Sequence, residues 1–319
     1  KLPTLLQHAF LVAQAVVAQS VPVERRAGAL GRLMMMYTIG ATVGPAMGGY
    51  LGAKGDFRLG ARLAALGSLL SVVLIVFFLP SSSSSNDDDD KDANDDDKKA
   101  KNEKKAAAAA AERGYARILA ATWPQLVTKA AMGVVASAYQ SVSPIVLKEI
   151  FGVDPKVMGT AMSVQAMANA AVGGLLLGPM TATFTQEDVV QSCLVVMIAG
   201  FVALVPASMH DSYVPWVTVG VILSLAGHTL ATVLTAMSTS RVGSDEKGTL
   251  LGLEHGIFSG VRVATPTVGM AIFKTGGAAS VSLACAGIAA GMATTWSKVM
   301  AHQKKNATTV EADVEKKKK

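Results

Sequence analysis

The chain has 319 residues, 51% of them apolar and 30 more Gly, while Asp, Glu, Lys and Arg together make up only 16%. Residues 81–117 hold 18 of the charges and residues 301–319 hold nine, so the rest of the chain is almost uncharged. That excludes a pair of ordinary soluble domains, which need polar outer faces, and points to an all-α polytopic membrane protein.

The formal net charge of +6 does not imply nucleic acid, because the basic residues lie in loops and tails without interleaved aromatics. Cys193 and Cys285 each sit alone in an apolar run, so neither a disulfide framework nor a CxxC-type metal site is available. No P-loop, nucleophile elbow or HExxH motif is present, and the sequence implies no catalytic residue, cofactor or metal.

A helix of about 20 apolar residues crosses a hydrocarbon core of about 30 Å. In chain order, runs of that length predict nine spans, approximately 4–22, 32–53, 61–80, 122–147, 157–180, 189–208, 213–237, 249–273 and 278–298. They are too long and too unalternating for barrel strands. The chain opens without Met on an apolar run that is already full length, so it reads as N-terminally incomplete.

The expected organisation is a partial N-terminal bundle over 1–80, a charged linker over 81–121, a six-helix bundle over 122–300 and a basic tail over 301–319. Five Ser and blocks of Asp and Lys leave 81–105 almost nothing to bury, which predicts disorder. The run from Ala106 to Ala111 then predicts the start of a surface helix.

Basic residues in the short loops and the tail number twelve on the linker side and six on the other, which places the linker and C-terminus in the cytoplasm. Trp123, Trp216 and Trp296 fall near span ends, where interfacial anchors are expected.

The second span carries Gly31, Gly40, Gly44, Pro45, Gly48 and Gly49 in the pattern G-x8-G-x3-G-P-x2-G-G. Gly40, Gly44 and Gly48 recur at i, i+4 and i+8, a smooth stripe that would let another helix approach, and Pro45 removes one backbone donor. A shift of 221 residues lays Gly31 on Gly252, Pro45 on Pro266 and Gly48 on Gly269, an imperfect echo of the kind that repeated halves produce.

This pattern resembles the antiporter motif of drug:proton antiporters in the major facilitator superfamily. The approach to it, Pro22-Val-Glu24-Arg25-Arg26-Ala-Gly-Ala-Leu-Gly31-Arg32, is similar to the organic cation transporter-like branch of solute carrier family 22. The resemblance implies that the nine spans match helices four to twelve, with the first three absent, and that this chain alone does not complete a transport path. It implies exchange of a small organic solute, cationic or drug-like, for protons across a lipid bilayer by a monomer. An ion-coupled symporter or uniporter of the same fold, or a non-transporting membrane scaffold, stands as the alternative.

Ionisable and polar side chains inside spans are costly and therefore candidates for the pathway. His8 and Gln14 lie on the first span; Lys129 opens a stripe with Gly133, Ser137 and Gln140 on the fourth. Lys129 either snorkels to the interface or faces a cavity. Gln165 and Asn169 either tie helices together or line a path, and Ser224, His228, Thr232 and Thr235 share one face of the seventh span. His228 either exchanges a proton or bonds across helices. On the eighth span, Glu254 and Arg262 are about 12 Å apart along the helix, too far to pair, so each needs water, solvent or another helix. Arg262, nearer mid-membrane, is the strongest expectation for a functional charge.

Overall fold

The computed structural model describes the backbone of residues 23–55, 57–78, 96–243 and 246–318, and side chains over 36–55, 58–74, 77, 114–243 and 246–302. The expected first span, with His8 and Gln14, lies outside the described residues.

Every regular element among them is helical: α1 (Val23–Ala53), α2 (Phe57–Phe78), α3 (Asp96–Glu149), α4 (Pro155–Ala171), α5 (Leu177–Thr183), α6 (Gln186–Ala207), α7 (Val214–Thr239) and α8 (Lys247–Lys318). Among the described residues, five stretches are long and apolar enough to cross a membrane: Gly114–Glu149, Pro155–Thr183, Gln186–Ala207, Val214–Thr239 and Lys247–His302. The chain is thus an all-α, multi-pass membrane protein. Gly277, with φ of 68°, breaks α8 between the two spans expected at 249–273 and 278–298; a residue with a Cβ would resist that backbone.

Two elements differ from expectation. The linker helix starts at Asp96 and runs unbroken into the span, so residues 96–105 are helical instead of disordered. The Ala-rich run at 106–111 is a strong helix former, and propagating an existing helix costs far less than nucleating one. The expected span 157–180 is divided, because Val172–Leu176 between α4 and α5 is a π-helical turn in which the Leu177 N–H donates to the Val172 carbonyl. Gly173, Gly174 and Pro179 weaken the ordinary α ladder there.

α3, α6, α7 and α8 enclose the principal core, with Val135, Leu194, Leu204, Leu230, Leu234 and Ala289 essentially sealed from solvent. Trp216 and Trp296 belong to this core, each 2% exposed, and are not interfacial anchors; Trp123 is exposed. Trp216 is held by its indole N–H, which donates to Ser143 Oγ at 3.0 Å.

α1 packs extensively on α4, and two glycines fix that crossing. A Cβ on Gly159 would collide with the Pro45 carbonyl oxygen and lie 2.8 Å from Gly49 Cα; one on Gly49 would lie 2.5 Å from the Pro155 carbonyl oxygen. The close approach therefore runs along Pro45 and Gly49. The stripe of Gly40, Gly44 and Gly48 does not carry it: these residues are exposed and have no described atom within 4 Å of a built Cβ.

Gly159→Ala is expected to lower stability by about 1–3 kcal/mol, the usual cost of overpacking against backbone that cannot yield. Gly287→Ala, where the added methyl meets open space, should be neutral or slightly stabilising. Thermal unfolding in detergent compares the two, and equal melting temperatures would refute the crossing as the source of tightness.

Candidate functional site

The candidate site grows from two turns set in register. On α3, Lys129 is followed one turn later by Gly133; on α8, Glu254 is followed one turn later by Phe258. A Cβ at Gly133 would lie 2.9 Å from Phe258 Cε2, so only glycine lets the ring lie across α3. This contact brings the two charged side chains together. Lys129 Nζ donates to Glu254 Oε2 and to Thr235 Oγ1 of α7. Ser238 Oγ, also on α7, donates to the other carboxylate oxygen, Oε1, at 2.7 Å.

Both carboxylate oxygens thus have a donor, and the Glu254 side chain is 3% exposed against 18% for Lys129. Burying two ions costs several kcal/mol each, which only close pairing and added hydrogen bonds offset. Lys129 is therefore not a snorkelling residue, and Glu254 does not face solvent.

Above this pair lies a cavity of about 390 Å³, a size suited to a small organic molecule. Its polar lining comes from Lys129 and Gln140 on α3, Gln165 and Asn169 on α4, and Ser224 and His228 on α7. Its apolar lining includes Met132, Tyr139, Met197, Phe201 and Phe258, and Tyr37 of α1 also lines it. Lys129 lines the cavity; Glu254 does not.

Asn169 Nδ2 donates to Ser224 Oγ at 3.0 Å, so Asn169 both ties α4 to α7 and faces the cavity. Tyr139 packs edge-on to Phe201, ring centroids 5.9 Å apart, at the end of the cavity away from Lys129. His228 sits against the π-helical turn: a Cβ on Gly173 would lie 3.3 Å from its Nε2.

The arrangement has a floor bearing one sealed ion pair, amide and hydroxyl walls, and an aromatic roof. Two stretches of the chain, 7–140 and 126–319, match the family model described as Major Facilitator Superfamily. The chain belongs to this superfamily.

Its relatives include solute carrier family 22 member 18 of Mus musculus, 24% identical over 87% of this chain and 66% of the relative. Solute carrier family 67 member A1 of Homo sapiens is 26% identical over 87% of this chain and 63% of the relative. The chain thus spans under two thirds of the length of these curated relatives.

Of the expected pathway residues, the fold brings Lys129, Gln140 and His228 to the cavity and Glu254 beneath it. Thr232 stays outside: it is half-buried, with its hydroxyl donating to the His228 carbonyl of its own helix at 2.9 Å. Arg262 is exposed, about two turns beyond Glu254 on α8, and does not line the cavity. Gly31, Gly40, Gly44, Pro45, Gly48 and Gly49 all lie on α1, the helix that supplies Tyr37. The aromatic and Met lining escaped the sequence, because in a membrane helix both the lipid-facing and the cavity-facing sides are apolar.

Removing one partner of the pair leaves the other buried and uncompensated. Lys129→Met and Glu254→Leu should each cost about 3–5 kcal/mol, and the double variant much less than the two together. Unfolding of the four proteins measures the coupling; additive losses would show that the two residues do not depend on one another.

Proposed function

We propose that this chain supplies nine spans of a secondary active transporter that moves a small organic solute in exchange for protons by alternating access. In this reading the protein acts as a monomer, with its linker and C-terminus cytoplasmic, and the two bundles rock about the cavity. The α1–α4 crossing is the bearing surface between them, and the antiporter-type motif on α1 motivates exchange over other modes.

The observation that carries the coupling is the Lys129–Glu254 pair on the cavity floor. With Glu254 ionised, the pair is neutral and an organic cation can occupy the aromatic and amide lining. A proton arriving on Glu254 leaves Lys129 uncompensated, and the floor gains a full positive charge. Two like charges about 6 Å apart repel by about 3 kcal/mol at an effective dielectric of about 20, roughly a hundredfold in occupancy. Proton and cation then exclude one another, which is the requirement for exchange. Gln140, Gln165 and Asn169 orient the solute, and His228 faces it as a second proton-bearing group. Arg262 has no part in this step.

The intact protein reconstituted in proteoliposomes tests the reading. An inward gradient of an aromatic monocation, such as methylphenylpyridinium, should drive protons out and raise lumenal pH. Glu254→Gln should abolish that proton movement, and Gly44→Leu should slow solute and proton together. No solute or proton movement from folded protein, across a panel of cations, anions and neutral solutes, would favour a non-transporting scaffold.

A further inference from the structure

The cavity is asymmetric in charge. Lys129 lines it, whereas its carboxylate partner is sealed behind it, and no Asp or Glu stands among the described lining residues. An ammonium group has three donors. Two are taken, by Glu254 Oε2 and Thr235 Oγ1, which leaves one on a side chain that borders the cavity. The groups around Glu254 are few. Lys129 comes from α3, the hydroxyls of Thr235 and Ser238 come from α7, and His255 follows on α8. His228 stands about two turns from Thr235 along α7, and α6, also packed on α8, carries Glu187 and Asp188 in its first turn and the buried Cys193.

We infer that the same site also carries small organic monoanions, and that it moves them together with a proton instead of against one. The inference rests on the exchange reading and extends it to a second class of solute. When a proton binds Glu254, its carboxylate becomes a neutral acid and Lys129 loses its counter-ion. An anionic group entering the cavity then takes the place that the carboxylate held, through the Lys129 ammonium, and the site returns to neutrality. On the opposite side the anion leaves Lys129, the proton leaves Glu254, and the internal ion pair re-forms. One proton and one negative charge cross together, so no net charge moves.

The floor therefore converts solute charge into the direction of proton movement. A cation and a proton compete for one neutral state, whereas an anion and a proton complete one another. The Glu254 carboxylate acts as an internal anion that is displaced from Lys129 when protonated. Its burial keeps it from meeting the solute, which is why a cation gains no direct salt bridge here and an anion does.

Benzenesulfonate suits the test because it stays ionised and cannot carry a proton through bare lipid. In proteoliposomes containing the intact protein, an inward sulfonate gradient should acidify the lumen, while the methylphenylpyridinium gradient raises its pH. Equilibrium binding to the wild-type protein should show opposite trends. Sulfonate binding should tighten by up to about tenfold per unit fall in pH, as linkage to one proton requires, and cation binding should weaken.

Glu254→Gln keeps Lys129 permanently without an anionic partner, so sulfonate should still enter but without lumenal acidification. Lys129→Arg should retain sulfonate binding and Lys129→Met should lose it. Cation–proton exchange from a protein that neither binds nor moves sulfonate would overturn this inference and leave the exchange reading intact. Proton movement with neither solute would overturn the reading on which it rests. If Glu254→Gln fails to fold, the opposing pH trends in wild-type binding decide the matter, and parallel trends would overturn the inference.

Discussion

A carboxylate and an ammonium buried between three helices cannot be left to chance, because each ion alone would cost more than most side-chain contacts can return. Glu254 and Lys129 therefore impose a register on α3, α7 and α8 that apolar packing by itself would not. Apolar side chains slide past one another with modest penalties, whereas a charge moved by one turn loses its partner altogether. Ser238 and Thr235 of α7 complete the donor set, so three helices are fixed by one ionic cluster. The cavity borders this cluster where Gly133 lets Phe258 cross α3 one turn further along.

A second constraint joins the two parts of the fold. Water does not drive membrane helices together, so close approach depends on small residues and van der Waals fit. Gly49 and Gly159 supply that fit between α1 and α4, and α4 in turn reaches α7 through Asn169 and Ser224. Beyond that bond α4 loosens into the π-helical turn, where Gly173 meets His228. The tight crossing and the irregular turn thus lie on one span, near opposite ends of α4. A helix that is rigid where it meets α1 and irregular where it meets the cavity can transmit a tilt from one bundle into a change of shape at the other.

Much of this was legible in the residues themselves. Runs of uncharged sequence marked α6 and α7 almost to their ends, since a hydrocarbon core sets length and forbids charge. Gly277 falls in the gap foreseen between 249–273 and 278–298. The ionisable residues could be named but not paired: Lys129 and Glu254 are 125 residues apart, and nothing local says which helix faces which. Arg262 looked the more telling charge because depth along a helix can be read from sequence, while the side of the helix cannot. For the same reason the sequence did not single out Pro45 and Gly49 as the residues of α1 that meet α4.

Placing the proton-accepting group behind the solute-facing group has a consequence for specificity. Were Glu254 in the cavity wall, a cation would pair with it directly, and the site would select for charge by attraction. Sealed beneath Lys129, it acts only by setting the net charge of the floor, while shape and polarity are judged by the walls. Tyr139, Phe201, Phe258 and two Met residues accept varied apolar bodies, since Met adapts to irregular shapes and rings tolerate several packing geometries. Three amide side chains can each donate or accept, so they do not dictate the sign of the polar group they meet. In the proposed cycle, coupling and recognition therefore reside in different residues, and breadth toward the solute need not weaken the grip on the proton. A site that recognised its solute through Glu254 could not separate them, because every gain in solute affinity would compete with protonation at the same oxygen atoms.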